Sequence, residues 1–168
     1  MSSHKVRLKT IDNKIFEVSI DILKKAKLIS GMVEQASDEN KTILLRELKG
    51  KCLEQILAYL KHYKNFEPKK IPKPFPERTD ENFLRGVLND EWTFNYLQNI
   101  SLEEAINIVN GAHYLEIKGL IRILAAKLAY EMCNCDVEEA RRKFGIESDM
   151  TEEEIEKTDR YYAERCLL

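Results

Sequence analysis

Glycine is scarce in this sequence and never clustered: the six glycines, Gly31, Gly50, Gly86, Gly111, Gly119 and Gly145, each stand alone. Isolated glycines cannot write a dinucleotide fingerprint or a phosphate-cradling loop, and there is no G-x-S-x-G elbow to carry a serine nucleophile. Positive charge is not in excess either, since 27 Lys and Arg face 29 Asp and Glu for a formal net charge of -2. The footprint of a protein that neutralises the phosphates of a duplex is missing, so nucleic acid is not expected as a partner. No apolar run approaches the roughly 18 to 20 residues that a membrane span needs. The start, Met1-Ser2-Ser3-His4-Lys5, has neither an apolar signal region nor a myristoylatable glycine. A soluble chain inside the cell, without a membrane partner, is the expectation.

Cysteine is too sparse for a secreted disulfide framework: there are four, Cys52, Cys133, Cys135 and Cys166. The one close pair, Cys133 and Cys135, has a single intervening residue. A zinc hook or a redox dithiol needs a different spacing and further ligands, so these read as ordinary reduced cysteines at a helix end. Cys166 is third from the carboxy terminus, where a prenylated cysteine must be fourth. The three histidines, His4, His62 and His113, fall in different elements without metal-binding spacing. Glu152, Glu153 and Glu154 follow Thr151 and read as the solvated first turn of a helix rather than as catalytic carboxylates. Neither enzyme activity, a cofactor nor a metal is expected.

Proline is confined as well. Pro68, Pro72, Pro74 and Pro76 all lie inside the polar stretch Asn65 to Asn82, which can be neither helix nor central strand and separates a mixed first part from a helical second part. Before it, Val6 and Leu8 alternate with charged residues, Asp12-Asn13 supplies a turn and Ile15 to Val18 resumes, predicting a β-hairpin. A helical stretch from Asp21 to about Gln35 with a break near Ser30-Gly31 comes next, then a polar turn at Ser37 to Asn40 and a third strand, Thr42 to Leu45. From Gly50 to Tyr63, Leu53, Ile56, Leu57 and Leu60 have the spacing of one helical face. The first part is therefore β-β-α-β-α. After the linker come a weak helical stretch, Asn82 to Leu97, and a helix from about Ile117 to Cys133. Three helix starts are marked by Ser101-x-x-Glu104, Asp136-x-x-Glu139 and Thr151-x-x-Glu154, which place an oxygen cap three residues before a carboxylate.

Two features exceed the needs of a small core. Between Leu120 and Met132, ten of thirteen residues are apolar or tyrosine, wider than the stripe of about 100° expected on a surface helix. The segment Asp136 to Leu168 has 11 acidic and 6 basic residues, yet carries Val137, Phe144, Ile146, Met150, Ile155, Tyr161 and Tyr162, which cannot bury one another in so short a piece. Two explanations stay open on pattern alone: these residues cover the long helix of the same chain, or tail and helix together offer an apolar surface to helices of a partner.

The segment Ala112-His113-Tyr114-Leu115-Glu116-Ile117-Lys118-Gly119-Leu120-Ile121 closely resembles the A-N-Y-L-D-I-K-G-L-L stretch of the Skp adaptors of SCF (Skp, cullin, F-box) ubiquitin ligases. Glu138 to Ile146 is similar to that family's P-E-E-I-R-K-x-F-N-I, and Asp149 to Glu154 to its D-F-T-E-E-E. Val6-x-Leu8 with Asp12-x-x-Ile15-Phe16-Glu17-Val18 resembles its opening strand pair. The chain departs from the family at His113, where asparagine is usual, and at Val137, where proline is usual. At Tyr162, in Tyr162-Ala163-Glu164, it departs from a closing tryptophan, and that placement needs a one-residue gap. The acidic insertion that some members carry before the third strand is short here.

The resemblance implies an α+β fold: a BTB/POZ domain with a small three-stranded sheet packed by helices, followed by a carboxy-terminal helical extension. The expected parts are residues 1–64 and 83–133 as the two portions of the BTB/POZ domain, 65–82 as the linker loop, and 134–168 as an F-box-binding extension. The implied activity is bridging without catalysis, between a cullin amino-terminal domain and F-box proteins, in the cytoplasm and nucleus. Carried over by position, His113 and Tyr114 face the cullin, and Ile106, Ile121, Leu128, Met132, Phe144, Ile146, Met150 and Tyr162 stand at or beside F-box-contacting positions. An elongin-C-like adaptor, which should end near Cys133, and a BTB module that forms a homo-oligomer, including a weak dimer of the free chain, are the alternatives carried forward.

Overall fold

The computed structural model of the chain describes residues 5–34, 42–71, 85–86, 88, 90–133, 135–147 and 150–165. In β1 (Lys5–Thr10), buried Val6, Leu8 and Thr10 alternate with Lys5, Arg7 and Lys9, the two-residue period of a strand with one face on a core. β1 pairs antiparallel with β2 (Ile15–Ser19), so that Val6 lies opposite Val18 and Leu8 opposite Phe16. Asn13 takes the left-handed φ of 63° that closes the turn, a conformation asparagine tolerates better than most residues. β3 (Thr42–Leu45) lies along the other edge of β1 and parallel to it, which gives the three-stranded order β2-β1-β3.

The hairpin is fastened to the next long helix, α3 (Gly50–His62), through Asp12. Thr10 Oγ1 donates to Asp12 Oδ1 at 2.6 Å, and the same oxygen accepts the Gly50 N–H at 2.8 Å. Lys49, at the helix's own cap position, makes no side-chain cap bond, so the carboxylate from the hairpin satisfies a free amide of the first turn in its place. The hydrogen bond from Thr10 holds the Asp12 carboxyl below its ordinary value, with the Gly50 amide adding to it. On α3 the stripe Leu53, Ile56, Leu57 and Leu60 is buried as expected, and Tyr59 and Tyr63 join it.

Between sheet and α3 the chain forms α1 (Ile20–Leu23) and α2 (Lys27–Glu34). The expected break near Ser30-Gly31 is wrong: the helix is interrupted at residues 24–26 and runs through Ser30 and Gly31. Leu23 and Ala26 are both buried, and the tight turn that allows this is closed by Ala26 N–H to Leu23 O at 2.9 Å. Ser30 then acts as a tie, its hydroxyl donating to Leu23 O at 3.1 Å. The turn expected at Ser37 to Asn40, the linker prolines Pro72, Pro74 and Pro76, and Cys166 lie outside the described residues. The described start of the linker, residues 65–71, is irregular, and Lys25 holds it through an ion pair with Glu67 at 2.8 Å and a hydrogen bond to the Phe66 carbonyl.

Residues 1–134 form one compact unit and residues 135–168 a second. The first unit is completed by α4 (Glu91–Gln98), α5 (Leu102–Tyr114) and α6 (Lys118–Cys133). The second contains α7 (Val137–Phe144) and α8 (Glu152–Arg165). The fold is thus mixed, a small three-stranded sheet packed by helices and followed by a helical carboxy-terminal segment. No helix of the described residues is long and apolar enough to cross a membrane.

Within the weak helical stretch expected from Asn82 to Leu97, residues 85, 86 and 88 are helical and α4 starts at Glu91, where Asp90 caps it. Its Oδ1 accepts the Trp92 N–H at 3.3 Å as the helix cap, while Oδ2 accepts from Tyr63 Oη at 2.7 Å and lies 3.2 Å from His62 Nε2. Thr93 Oγ1 also donates to it. The His62 ring stacks on Trp92 at 3.9 Å and Trp92 on Tyr96 at 5.1 Å, so one carboxylate and a column of rings tie α4 to the end of α3. Burial pushes the Asp90 carboxyl up, but the bonds from Thr93, Tyr63 and His62 outweigh it and hold the group below its ordinary 3.8. A group depressed in this way contributes stability above pH 3.8 and loses it as the pH falls further. Asp90→Ala should therefore lower stability by about 1 to 3 kcal/mol in urea unfolding followed through Trp92. The acid loss of stability in Asp90→Asn should be shallower than in the parent. An unchanged unfolding midpoint for both variants would contradict the tie.

Candidate functional site

The cullin-facing positions expected from the sequence sit at the end of α5. Ser101 and Glu104 form the expected capping box, with Glu104 N–H to Ser101 Oγ at 3.2 Å and Ser101 N–H to Glu104 Oε2 at 3.1 Å. Glu104 also pairs with Lys51 of α3, and the hydrogen bond from that ammonium is the largest influence holding its carboxyl below the ordinary value. The far end closes with Ile117 N–H bonded to Ala112 O at 2.8 Å and Glu116 N–H to His113 O at 3.0 Å. These two bonds form a Schellman motif. Leu115 and Ile117 are buried on either side of the turn, and the structure leaves His113 exposed and Tyr114 half-buried against the core. Both positions are thus presented from a helix end closed by backbone bonds to the carbonyls of Gly111, Ala112 and His113.

The left-handed residue of that motif is Glu116, with φ 57°. A side chain there costs energy that glycine avoids. Glu116→Gly should raise stability by about 0.5 to 1 kcal/mol in urea unfolding, and a less stable variant would mean that the glutamate side chain makes a compensating contact.

The over-wide apolar pattern of α6 resolves into two faces. Leu120, Ile123, Leu124 and Ala126 are buried in the core. Ile121, Leu128 and Met132 occupy the other face at i, i+7 and i+11, with Ile121 and Leu128 half-buried and Met132 48% exposed. The exposed Ala125 falls between them on the same face, a small residue that periodicity alone does not mark. Ile106, the remaining expected position in this unit, is half-buried on α5.

In the second unit both expected caps are present. Asp136 Oδ1 accepts Glu139 N–H at 2.7 Å, and Thr151 pairs reciprocally with Glu154, whose carboxyl the Thr151 backbone amide holds below its usual value. α7 ends at Gly145 with φ 64°, where any side chain would be strained. None of the described residues of this unit is buried. Phe144 and Met150 are half-buried, the latter within 4.0 Å of Arg141 Nη2. Ile146 is 54% exposed, Tyr162 61% and Val137 67%. The apolar residues that could not bury one another by count therefore remain on the surface of the unit that carries them.

Periodicity gave no sign of a groove between α3 and α5, because it is created by the packing of two helices. Cys52 lies in it, half-buried, and burial pushes its thiol up to about 11. Cys133 and Cys135 are half-buried, and Lys143 Nζ donates to Cys135 Sγ at 3.8 Å. Among the described residues no group of three His, Cys, Asp or Glu side chains could hold a metal ion.

Comparison with known proteins gives two family matches. The model described as Skp1 family, tetramerisation domain, matches residues 4–65, and the one described as Skp1 family, dimerisation domain, matches residues 118–164. The S-phase kinase-associated protein 1 homolog of Tetrahymena thermophila is 34% identical over 90% of this chain and 88% of its own length. SKP1-like protein 18 of Arabidopsis thaliana is 29% identical over 94% of this chain and 93% of its own. The E3 ubiquitin ligase complex SCF subunit sconC of Talaromyces marneffei is 25% identical over 94% of each.

Proposed function

The chain belongs to the Skp1 family, and on that premise we propose how it serves as the non-catalytic adaptor that links a cullin to F-box proteins in an SCF ubiquitin ligase. His113 and Tyr114, at the bonded end of α5, meet the cullin amino-terminal domain. Ile106 on α5, Ile121, Leu128 and Met132 on α6, and Phe144, Ile146, Met150 and Tyr162 of the extension at 134–168 meet the F-box. The observation that carries this reading is the partly exposed apolar residues of α6 and of the second unit in a chain whose first unit already has a core of its own. Each large apolar side chain taken out of water contributes on the order of 1.5 to 3 kcal/mol, which favours a partner helix over solvent.

The adaptor carries out no proton transfer and makes no bond. It acts by holding receptor and scaffold in a fixed relation, so that substrate meets a remote transfer centre at high effective concentration. A rigid seat for each partner is what this requires. The capping box and Schellman motif of α5 supply one for the cullin. His113 keeps a hydrogen-bond donor where the family has asparagine but adds the bulk of a ring, so Tyr114 is the firmer anchor. An elongin-C-like adaptor would end near Cys133, whereas the Skp1-family match here runs on to residue 164.

Tyr114→Ala should weaken binding of a cullin amino-terminal fragment by about 1 to 3 kcal/mol in calorimetric titration while leaving F-box affinity unchanged. Phe144→Ala should do the reverse. If either variant weakened both partners equally, the division of the surface would be wrong.

A further inference from the structure

Residues 66–71, the described start of the linker, are tied to several separate parts of the first unit. The Phe66 ring meets those of His62 and Tyr63 at the end of α3, with centroids 5.2 and 5.0 Å apart. Lys25, in the turn between α1 and α2, donates to the Phe66 carbonyl and pairs with Glu67 at 2.8 Å. Pro68 lies against the first turn of α6: a Cβ on Gly119 would be 3.2 Å from Pro68 Cγ and 3.5 Å from its Cδ, and would collide with Tyr59 Oη. Ile71 packs on the core. A segment that only had to span a distance would need none of these contacts.

The contact at Gly119 bears on binding. The first turn of α6 is flanked there by Tyr59 of α3 and by the Pro68 ring, and the helix then carries Ile121, Leu128 and Met132 on its partly exposed face. From Gly119 to Met132 an α-helix rises about 20 Å, so a tilt of about 10° at the first turn displaces Met132 by about 3 Å. A seat for a partner has to be held to within about 0.5 Å. No single contact of the linker would hold the helix to that tolerance. The Glu67 side chain is 73% exposed, and an ion pair at such a site contributes little alone. The ring contacts, the bond to the Phe66 carbonyl and the packing of Pro68 act on one short stretch, in which the proline fixes φ, and so restrain it together.

We propose that residues 66–71 form a brace that holds α6 at the angle F-box binding requires, with Lys25, Phe66 and Pro68 as positioning residues. None of them touches the F-box; they act through Gly119 and Tyr59. This rests on the reading of Ile121, Leu128 and Met132 as F-box-facing. The turn at Glu116 sets the direction in which α6 leaves α5, and the brace keeps the helix there. The end of α5 precedes that turn and is closed by its own backbone bonds, so the cullin-facing positions do not depend on the brace.

The full chain tests this, with an F-box fragment and a cullin amino-terminal fragment as probes. The double variant Lys25→Met, Pro68→Ala removes the tie to Glu67 and the ring against Gly119 but keeps an apolar stem at residue 25. It should bind the F-box fragment about tenfold more weakly and the cullin fragment as the parent does. Lys25→Arg, which keeps a cation and a donor, should bind both as the parent does. Hydrogen exchange of the free double variant should be about tenfold faster at the amides of residues 121–124, with those of α5 unchanged. Phe66→Ala, at a 51% exposed position, should weaken the F-box fragment in the same direction and supplies the test if the double variant does not fold. An F-box affinity unchanged in these variants, or a loss shared equally by the cullin fragment, overturns the brace and leaves the adaptor reading standing. If the parent chain does not bind the F-box fragment, the F-box reading fails and the brace with it.

Discussion

The close approach of α3 and α5 at Gly111 sets the position of the helices that carry the binding surfaces. α3 is itself fixed on two sides, by the Asp12 carboxylate at its first turn and by the Asp90 cluster at its last. With Gly111 seated on Leu48, Cys52 and Ile56, α5 can lie against α3 in one register. Three residues on, the helix ends in a turn whose amides are all paired, and that turn launches α6. The position of the end of α5, proposed to meet the cullin, and the direction of α6 thus follow from a single packing contact carried outward through bonded backbone. Rigidity of this kind is what an adaptor needs, because a receptor held on a loose mount would not bring substrate to a fixed place.

The second unit is built on the opposite principle. Its helices are capped and charge-complemented at their ends, with Asp136 and Thr151 at the starts and Arg141, Arg142 and Lys143 in the last turn of α7, but none of its described residues is buried. Local hydrogen bonds and ion pairs of this sort hold a helix only weakly on their own. Its apolar side chains contribute most when a partner covers them. An acidic segment that is well formed locally yet lacks a core of its own suits a surface that binds its partner by folding onto it.

Legibility in the sequence divided along the range of the interactions. The caps at Ser101, Asp136 and Thr151 depend on residues three apart, and all three stand where the pattern put them. The stripe of α3 and the strand Thr42–Leu45 followed from periodicity in the same way. Features beyond the reach of periodicity were decided by distant parts of the chain. The turn at residues 24–26 exists because Leu23 and Ala26 must both be buried. Asp90 caps α4 in a stretch with no strong apolar period and does so partly through Tyr63 and His62, nearly thirty residues away. The parallel pairing of β3 with β1, the left-handed Glu116 and the groove beside Cys52 were equally out of reach. The excess of apolar residues on α6 and in the tail was visible by counting. Which of them face which partner came from the family resemblance and from no pattern in the residues.

Bridging requires that both partners sit on the chain at once, and this is the claim on which the account depends. The most direct measurement is therefore the mass in solution of an equimolar mixture of the full chain, a cullin amino-terminal fragment and an F-box fragment, followed by titration of each partner onto the complex of the other two components. The account predicts a single 1:1:1 species, with each partner binding as tightly in the presence of the other as alone. Displacement of one fragment by the other would show that the surfaces overlap and would contradict it.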